Sequence, residues 1–369
     1  MTDRNIPLSC TAETIGHLAW KALIEEVVTT PKPGLVDLYS NGAHTDMDVD
    51  TFRRSAEALR PFFAFMAERG IQEQGSPEEL FRSLRGTGME AEKAMYGATG
   101  GVNTHKGIIF TFGVFCAAAG RCIREKKELT PVNLLHMQQE MTVRILKEEV
   151  EEIRRQTSGL EEEKGTIRPE EAGESGIRNL RPGPGEVHTG KPAGEPGSRE
   201  AHTSKPAGEP GPGEVHSGEP GPGEAHPYKP KSGELTHGEN NMRRYGTAGI
   251  RGEAIDGYPG VFQIGLPVIR EGLIRGEDWN LIKLQALLSM MAKSEDSNIL
   301  SRGGMEELRR VHAETAAFLQ SGGAYQPGAV ERLKDMDADY IRRNISPGGC
   351  ADLLATAVFI DSLNAKKQL

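Results

Sequence analysis

Nowhere does this 369-residue sequence run eighteen residues without a polar side chain, and residues 1–9 hold no apolar stretch of signal-peptide length. Membrane spans and secretion are therefore not expected, and the chain reads as soluble and cytoplasmic. Cysteine is scarce: Cys10, Cys116, Cys122 and Cys350 lie far apart, and only Cys116 and Cys122 come near a pairing, in an apolar helical context. They read as core residues of a protein in a reducing compartment, not as a thiolate metal cage. Positive charge is not in excess either. A net charge of -9 argues against general nucleic-acid binding but leaves room for a small basic pocket that holds a polyanion. No segment shows the alternation of a strand, so the expected fold is all-α, a compact bundle of many helices.

The bundle is interrupted. From Glu151 to Tyr245 there is no aspartate, and Tyr228 and Tyr245 are the only aromatics, which leaves nothing with which to build a core. Imperfect repeats fall at Glu186-Val187-His188, Glu200-Ala201-His202, Glu214-Val215-His216 and Glu224-Ala225-His226, among glycine and proline. Residues 151–244 are thus expected to be a disordered or polyproline-like insertion between two parts of one helical catalytic domain, 1–150 and 245–369. Single histidines spaced along such a chain bind metal weakly, and repeat expansion accounts for them.

The ordered parts are punctuated by polar, glycine-rich junctions. At the most prominent, Gly100-Gly101-Val102-Asn103-Thr104-His105-Lys106-Gly107 runs into the apolar stretch 108–120. A loop feeding a buried helix presents free N–H groups and a positive dipole end, so Lys106 and His105 beside it suit a phosphate. A tight turn that merely caps a core helix has the same appearance. It is not a Walker loop, because Gly107 follows Lys106 where that motif needs serine or threonine.

Pro31 and Pro33 stiffen the segment around Lys32. Asp37, His44 and Asp46 put oxygen and imidazole ligands near one another in a turn-forming run, while Asp50 reads as the N-cap of the next helix, with a kink at Pro61. Ser76-Pro77-Glu78-Glu79 starts a helix expected to break near Gly86 and Gly88 and to resume through Glu92. Thr130-Pro131 starts another. Arg251 and Glu253 lie in a glycine-rich loop, Asp278 caps an apolar helix, and Asp296, Asn298 and Arg302 form a further polar cluster. Asp352 stands among apolar residues of a helix begun at Ser346-Pro347.

Taken together and in order, Pro31–Asp37, Asn41–Met47, Gly101–Gly107, Arg251–Ala254, Asp296–Asn298 with Arg302–Gly304, and Ala351–Ala355 resemble the triphosphoribosyl-dephospho-coenzyme A synthase family. The likeness covers 15–150 and 245–363 and fails across the insertion. It implies transfer of the triphosphoribosyl part of ATP to the ribose 2′-hydroxyl of 3′-dephospho-coenzyme A with release of adenine. The product would serve the acyl carrier subunit of citrate lyase, or of malonate decarboxylase. Such chemistry passes through a cation-like sugar and leaves the triphosphate intact, so the site needs a base, an acid or hydrogen bond for the purine, and cations with magnesium for the phosphates. The resemblance thus implies that Lys32, Asn103, His105, Lys106, Arg251 and Arg302 hold phosphates, that Asp37, Asp46 and Asp296 hold Mg2+, and that Glu92 and Glu253 serve as base or ribose contact. An ATP-dependent phosphotransferase using the same pocket would release ADP rather than adenine, and a non-catalytic helical module displaying the repeats would have no need of six such junctions.

Overall fold

The computed structural model describes residues 8–164 and 237–365. Among these residues there are twelve α-helices and no strand. The segment preceding the repeats contributes α1 (Leu8–Val27), α2 (Val49–Gln72), α3 (Pro77–Thr99), α4 (Lys106–Arg124) and α5 (Pro131–Lys164). Beyond them come α6 (His237–Tyr245), α7 (Gly249–Ile255), α8 (Leu266–Arg275), α9 (Trp279–Met291), α10 (Ser297–Gln320), α11 (Ala329–Arg342) and α12 (Gly348–Ala365). A π-helical turn at Gly260–Gly265 leads into α8. The four Glu-x-His repeats, and the disorder expected of them, lie outside the described residues.

The bundle is built around α4, which packs against α1, α2, α3, α5 and α12. Its sequence explains the position: Phe112 and Phe115 fill space on one side, and Ala117, Ala118 and Ala119 let neighbours approach on the others, all fully buried. The helix is long and apolar enough to cross a membrane, yet 78% of it is buried inside the bundle. Cys116 and Cys122 sit in this core as free thiols. Arg121 is buried as well, and its guanidinium donates to the carbonyls of Glu73 and Gly75, closing the α2–α3 turn.

Local expectations fared unevenly. Asp278 accepts from the N–H groups of Asn280 and Leu281, and Ser76 forms a capping box with Glu79. The cap of α2, however, is Asp48, which makes a capping box with Thr51, while Asp50 sits in the first turn and pairs with exposed Arg53. α2 continues through Pro61 to Gln72. α3 does not break at Gly86 and Gly88. Both face open space, so each costs only the roughly 1 kcal/mol of a helical glycine, while Leu80, Leu84, Ala91 and Met95 hold the other face in the core. The loop expected around Arg251 is the short helix α7.

Candidate functional site

Three helix starts border one cavity of about 320 Å³: His105, Lys106 and Gly107 at α4, Asp296 to Asn298 at α10, and Gly348 to Asp352 at α12. Each start carries N–H groups without intrahelical partners and the positive end of a dipole, so their convergence favours an anion with several oxygens. One carboxylate ties two of them together. Asp296 accepts from the N–H groups of Asn298 (2.8 Å) and Ile299 (3.2 Å) through Oδ1 and from that of Cys350 (2.8 Å) through Oδ2. The glycines of the Pro347-Gly348-Gly349 turn permit this closeness: a Cβ on Gly348 would fall 2.6 Å from Asn298 Nδ2. At α4 the N-cap residue His105 makes no capping bond with its side chain, and Asn103 Oδ1 takes the Lys106 N–H at 3.2 Å.

The cations sort by depth. Lys32, between its two prolines, is 1% exposed, and its ammonium is held by the Glu26 carboxylate and by the Glu26 carbonyl at 2.8 Å. Burial keeps Glu26 above the usual carboxylate range even with Lys32 against it. His105 is also buried, hydrogen-bonded at Nδ1 to Ser55 Oγ (2.7 Å) and set edge-on to Phe52. Burial and the Lys32 charge lower its pKa to about 3, so the imidazole is neutral. Lys32 and His105, both expected to hold phosphates, border the cavity, where the Lys32 charge is already matched by Glu26 and His105 meets a ligand as a neutral imidazole.

Around the opening the charges are accessible. Lys106 Nζ lies 3.1 Å from Glu92, its side chain 44% exposed, and Arg251 on α7 lies 3.9 Å from Glu149. Arg302 donates to the Ala43 carbonyl (2.9 Å) and to Asn344 Oδ1 (3.0 Å), beside His44. All three border the cavity.

The acids divide in the same way. Glu253 borders the cavity, accepts the Gly260 N–H at 3.3 Å, and is raised above its ordinary pKa chiefly by burial. Glu92 is not among the lining residues and pairs with Lys106 instead. Asp37 and Asp46 are not lining residues either. Asp37 accepts from the N–H groups of Lys32, Tyr39 (2.6 Å) and Ser40 (3.0 Å) and so organises a turn, while Asp46 is 61% exposed, 3.9 Å from His44. With Asp296 committed to two helix starts, the three acids expected to share magnesium do not converge. Among the described residues no three His, Cys, Asp or Glu side chains form a metal group. These residues do not fit a protein-built magnesium site.

Three groups entered no assignment from the sequence. Glu26 closes the pair with Lys32. Ser294 Oγ is buried without a hydrogen-bond partner on the same wall as Glu253, where a Cβ on Gly260 would lie 3.5 Å from both side chains. Asp352 sits beside the α4 start, and its signs in the sequence were an acid inside an apolar helical run and its place in the Ala351–Ala355 segment.

A model of the family described as ATP:dephospho-CoA triphosphoribosyl transferase matches residues 12–176 and 214–369, reaching further into the repeat region than the motifs do. The chain is 32% identical over 353 residues to a protein of Albidiferax ferrireducens named probable 2-(5''-triphosphoribosyl)-3'-dephosphocoenzyme-A synthase, covering 95% of this chain and 91% of that one. It is 31% identical to a protein of Streptococcus mutans with the same name (95% and 96% covered). It is also 31% identical to the 2-(5''-triphosphoribosyl)-3'-dephosphocoenzyme-A synthase of Klebsiella pneumoniae (97% and 93% covered). No solved structure matches the chain.

Proposed function

Because the chain belongs to the ATP:dephospho-CoA triphosphoribosyl transferase family, we propose that its cavity holds the triphosphate of ATP while the ribose is passed to 3'-dephospho-CoA. The transfer itself is the activity of the family, and the chain is an enzyme of that class. The observation that carries the assignment of the site is the meeting of three helix starts with Lys106, Arg251 and Arg302 on one cavity. A triphosphate that must stay intact needs holding and no cleavage, which many N–H donors and three accessible cations provide. Magnesium carried on the ATP phosphates would supply charge neutralisation there, since among the described residues no cluster of acids is built to hold it.

Glu253 is the base for the incoming 2′-hydroxyl. It faces the cavity, and burial brings its pKa toward the working range of a base. Asn103 orders the α4 start through the Lys106 N–H, and neutral His105 fixes the loop through Ser55, which Thr104 also reaches at 2.7 Å. The product is the precursor of the prosthetic group carried by the acyl carrier subunit of citrate lyase, or of malonate decarboxylase.

The test is chromatography of the nucleotide products from ATP, magnesium and 3′-dephospho-CoA, with a Lys106→Ala control. Free adenine that depends on the second substrate, and falls about tenfold or more in the variant, is the expected result. ADP in place of adenine would make the protein a phosphotransferase. No consumption of nucleotide at all would leave a helical module without the activity.

A further inference from the structure

We propose that Asp352 is the acid that gives its proton to the departing purine. The inference rests on triphosphoribosyl transfer as the reaction and assigns a group to the half of it that the phosphate-holding residues leave unserved.

The side chain lies on the cavity wall just past the first turn of α12, directly against the start of α4: a methyl on Gly107 would fall 2.5 Å from Asp352 Oδ2. Among the described residues no hydrogen-bond donor and no cation is paired with this carboxyl group. The neighbouring acids are all engaged, Glu26 with Lys32, Asp296 with three N–H groups and Glu253 with Gly260. A carboxyl without a hydrogen-bonded or ionic partner, set beside other acids, favours its neutral form, which is the form able to donate a proton.

The groups facing it from the packed elements reinforce this. Burial foremost, and then the negative field of Glu26 of α1 and Asp296 ahead of α10, hold Asp352 well above the usual carboxylate range. Lys32 is matched by Glu26, His105 of α4 is neutral, Cys350 is a buried thiol raised well above its ordinary value, and Lys283 of α9 is paired with Glu25. Lys106 is the nearby cation of α4, and it is drawn toward Glu92.

The step balances. The bond from the anomeric carbon to the purine nitrogen breaks with its electron pair leaving on the purine, which takes the Asp352 proton. The 2′-hydroxyl oxygen bonds to the anomeric carbon, and its proton goes to Glu253. One proton enters the protein and one leaves it, and solvent restores both carboxyls to their starting states between turnovers. Proton transfer of this kind contributes about 10²–10⁴-fold.

The experiment compares ATP with nicotinamide riboside 5′-triphosphate, whose pyridine leaves neutral without needing a proton, in the wild type, Asp352→Asn and Glu253→Gln. Asp352→Asn should lose about 100-fold or more in kcat with ATP and stay within a few-fold of wild type with the nicotinamide compound. Glu253→Gln should be slow with both, since the hydroxyl is activated either way. Equal losses of Asp352→Asn on the two substrates, or rescue of Glu253→Gln instead, would overturn the assignment. The pH dependence of kcat with ATP decides independently of whether the analogue is accepted. The wild-type rate should fall on the basic side as the acid loses its proton, and that limb should vanish in Asp352→Asn; a limb that persists in the variant belongs to another group and ends the proposal. Absence of adenine release by the wild type would instead indict the reaction itself.

Discussion

The floor of the cavity and its rim use the same residue types to opposite ends. On the floor Lys32 is matched by Glu26, His105 is neutral beside Ser55, and Asp296 is wrapped in N–H donors. At the rim Lys106, Arg251 and Arg302 keep half-exposed charges whose partners are surface acids or carbonyls. Removing an ion from water demands an immediate partner, whereas a rim ion pair is weak and can exchange its partner for a ligand. Depth, and not residue type, separates the groups that build the site from those that hold a substrate.

The comparison breaks most visibly at Lys32. In Lys32→Met the Glu26 carboxylate, with a side chain only 7% exposed, loses its counter-ion. Unfolding in urea should show a loss of about 3–5 kcal/mol, and a second change, Glu26→Gln, should restore much of it. If Lys32→Met were as stable as wild type while its KM for ATP rose, Lys32 would be a substrate cation after all and the floor would have no separate role.

At the rim the prediction reverses. Arg251→Ala should change stability by no more than about 0.5 kcal/mol and raise the KM for ATP about tenfold, as expected for one charge-assisted contact. Added salt should narrow the gap between wild type and variant, because a half-exposed guanidinium is screened. A drop in stability without a change in KM would move Arg251 into the framework.

This division also marks where sequence reading stopped. All six polar junctions supply residues to the one cavity: Lys32, His44, Lys106, Arg251, Asp296 and Asp352 come from six separate segments. Helix starts with Ser76 and Asp278 were legible because capping acts over two or three residues. Partnership was not legible. Glu26 lies near the end of α1, and only the turn at Pro31–Pro33 brings Lys32 back over it. Asp37 and Asp296 have the composition of metal ligands, but their lone pairs are taken by backbone donors, which no spacing of side chains reveals. Glycines at 86 and 88 read as a break because sequence does not show that they face solvent on a helix anchored by its other side.

The finest test of the floor is the charge state of His105. The imidazole sits at about 3 in the fold against about 6.5 in the unfolded chain, because burial and the nearby Lys32 both disfavour its cation. Between those values the unfolded chain binds a proton that the native state refuses, so stability falls as the pH drops through the window, by at most about 1.4 kcal/mol per unit, and this contribution is flat above pH 6.5. Glu26, Asp296 and Asp352, all raised, act in the opposite sense over part of the same range, so the wild-type curve alone mixes the two effects. His105→Asn removes only the imidazole. The stability of wild type minus that of the variant, read from urea unfolding between pH 5 and 7, should therefore shrink as the solution is acidified. A difference independent of pH would mean that His105 titrates in the fold as it does in the unfolded chain, and that burial on the floor does not exclude its cation.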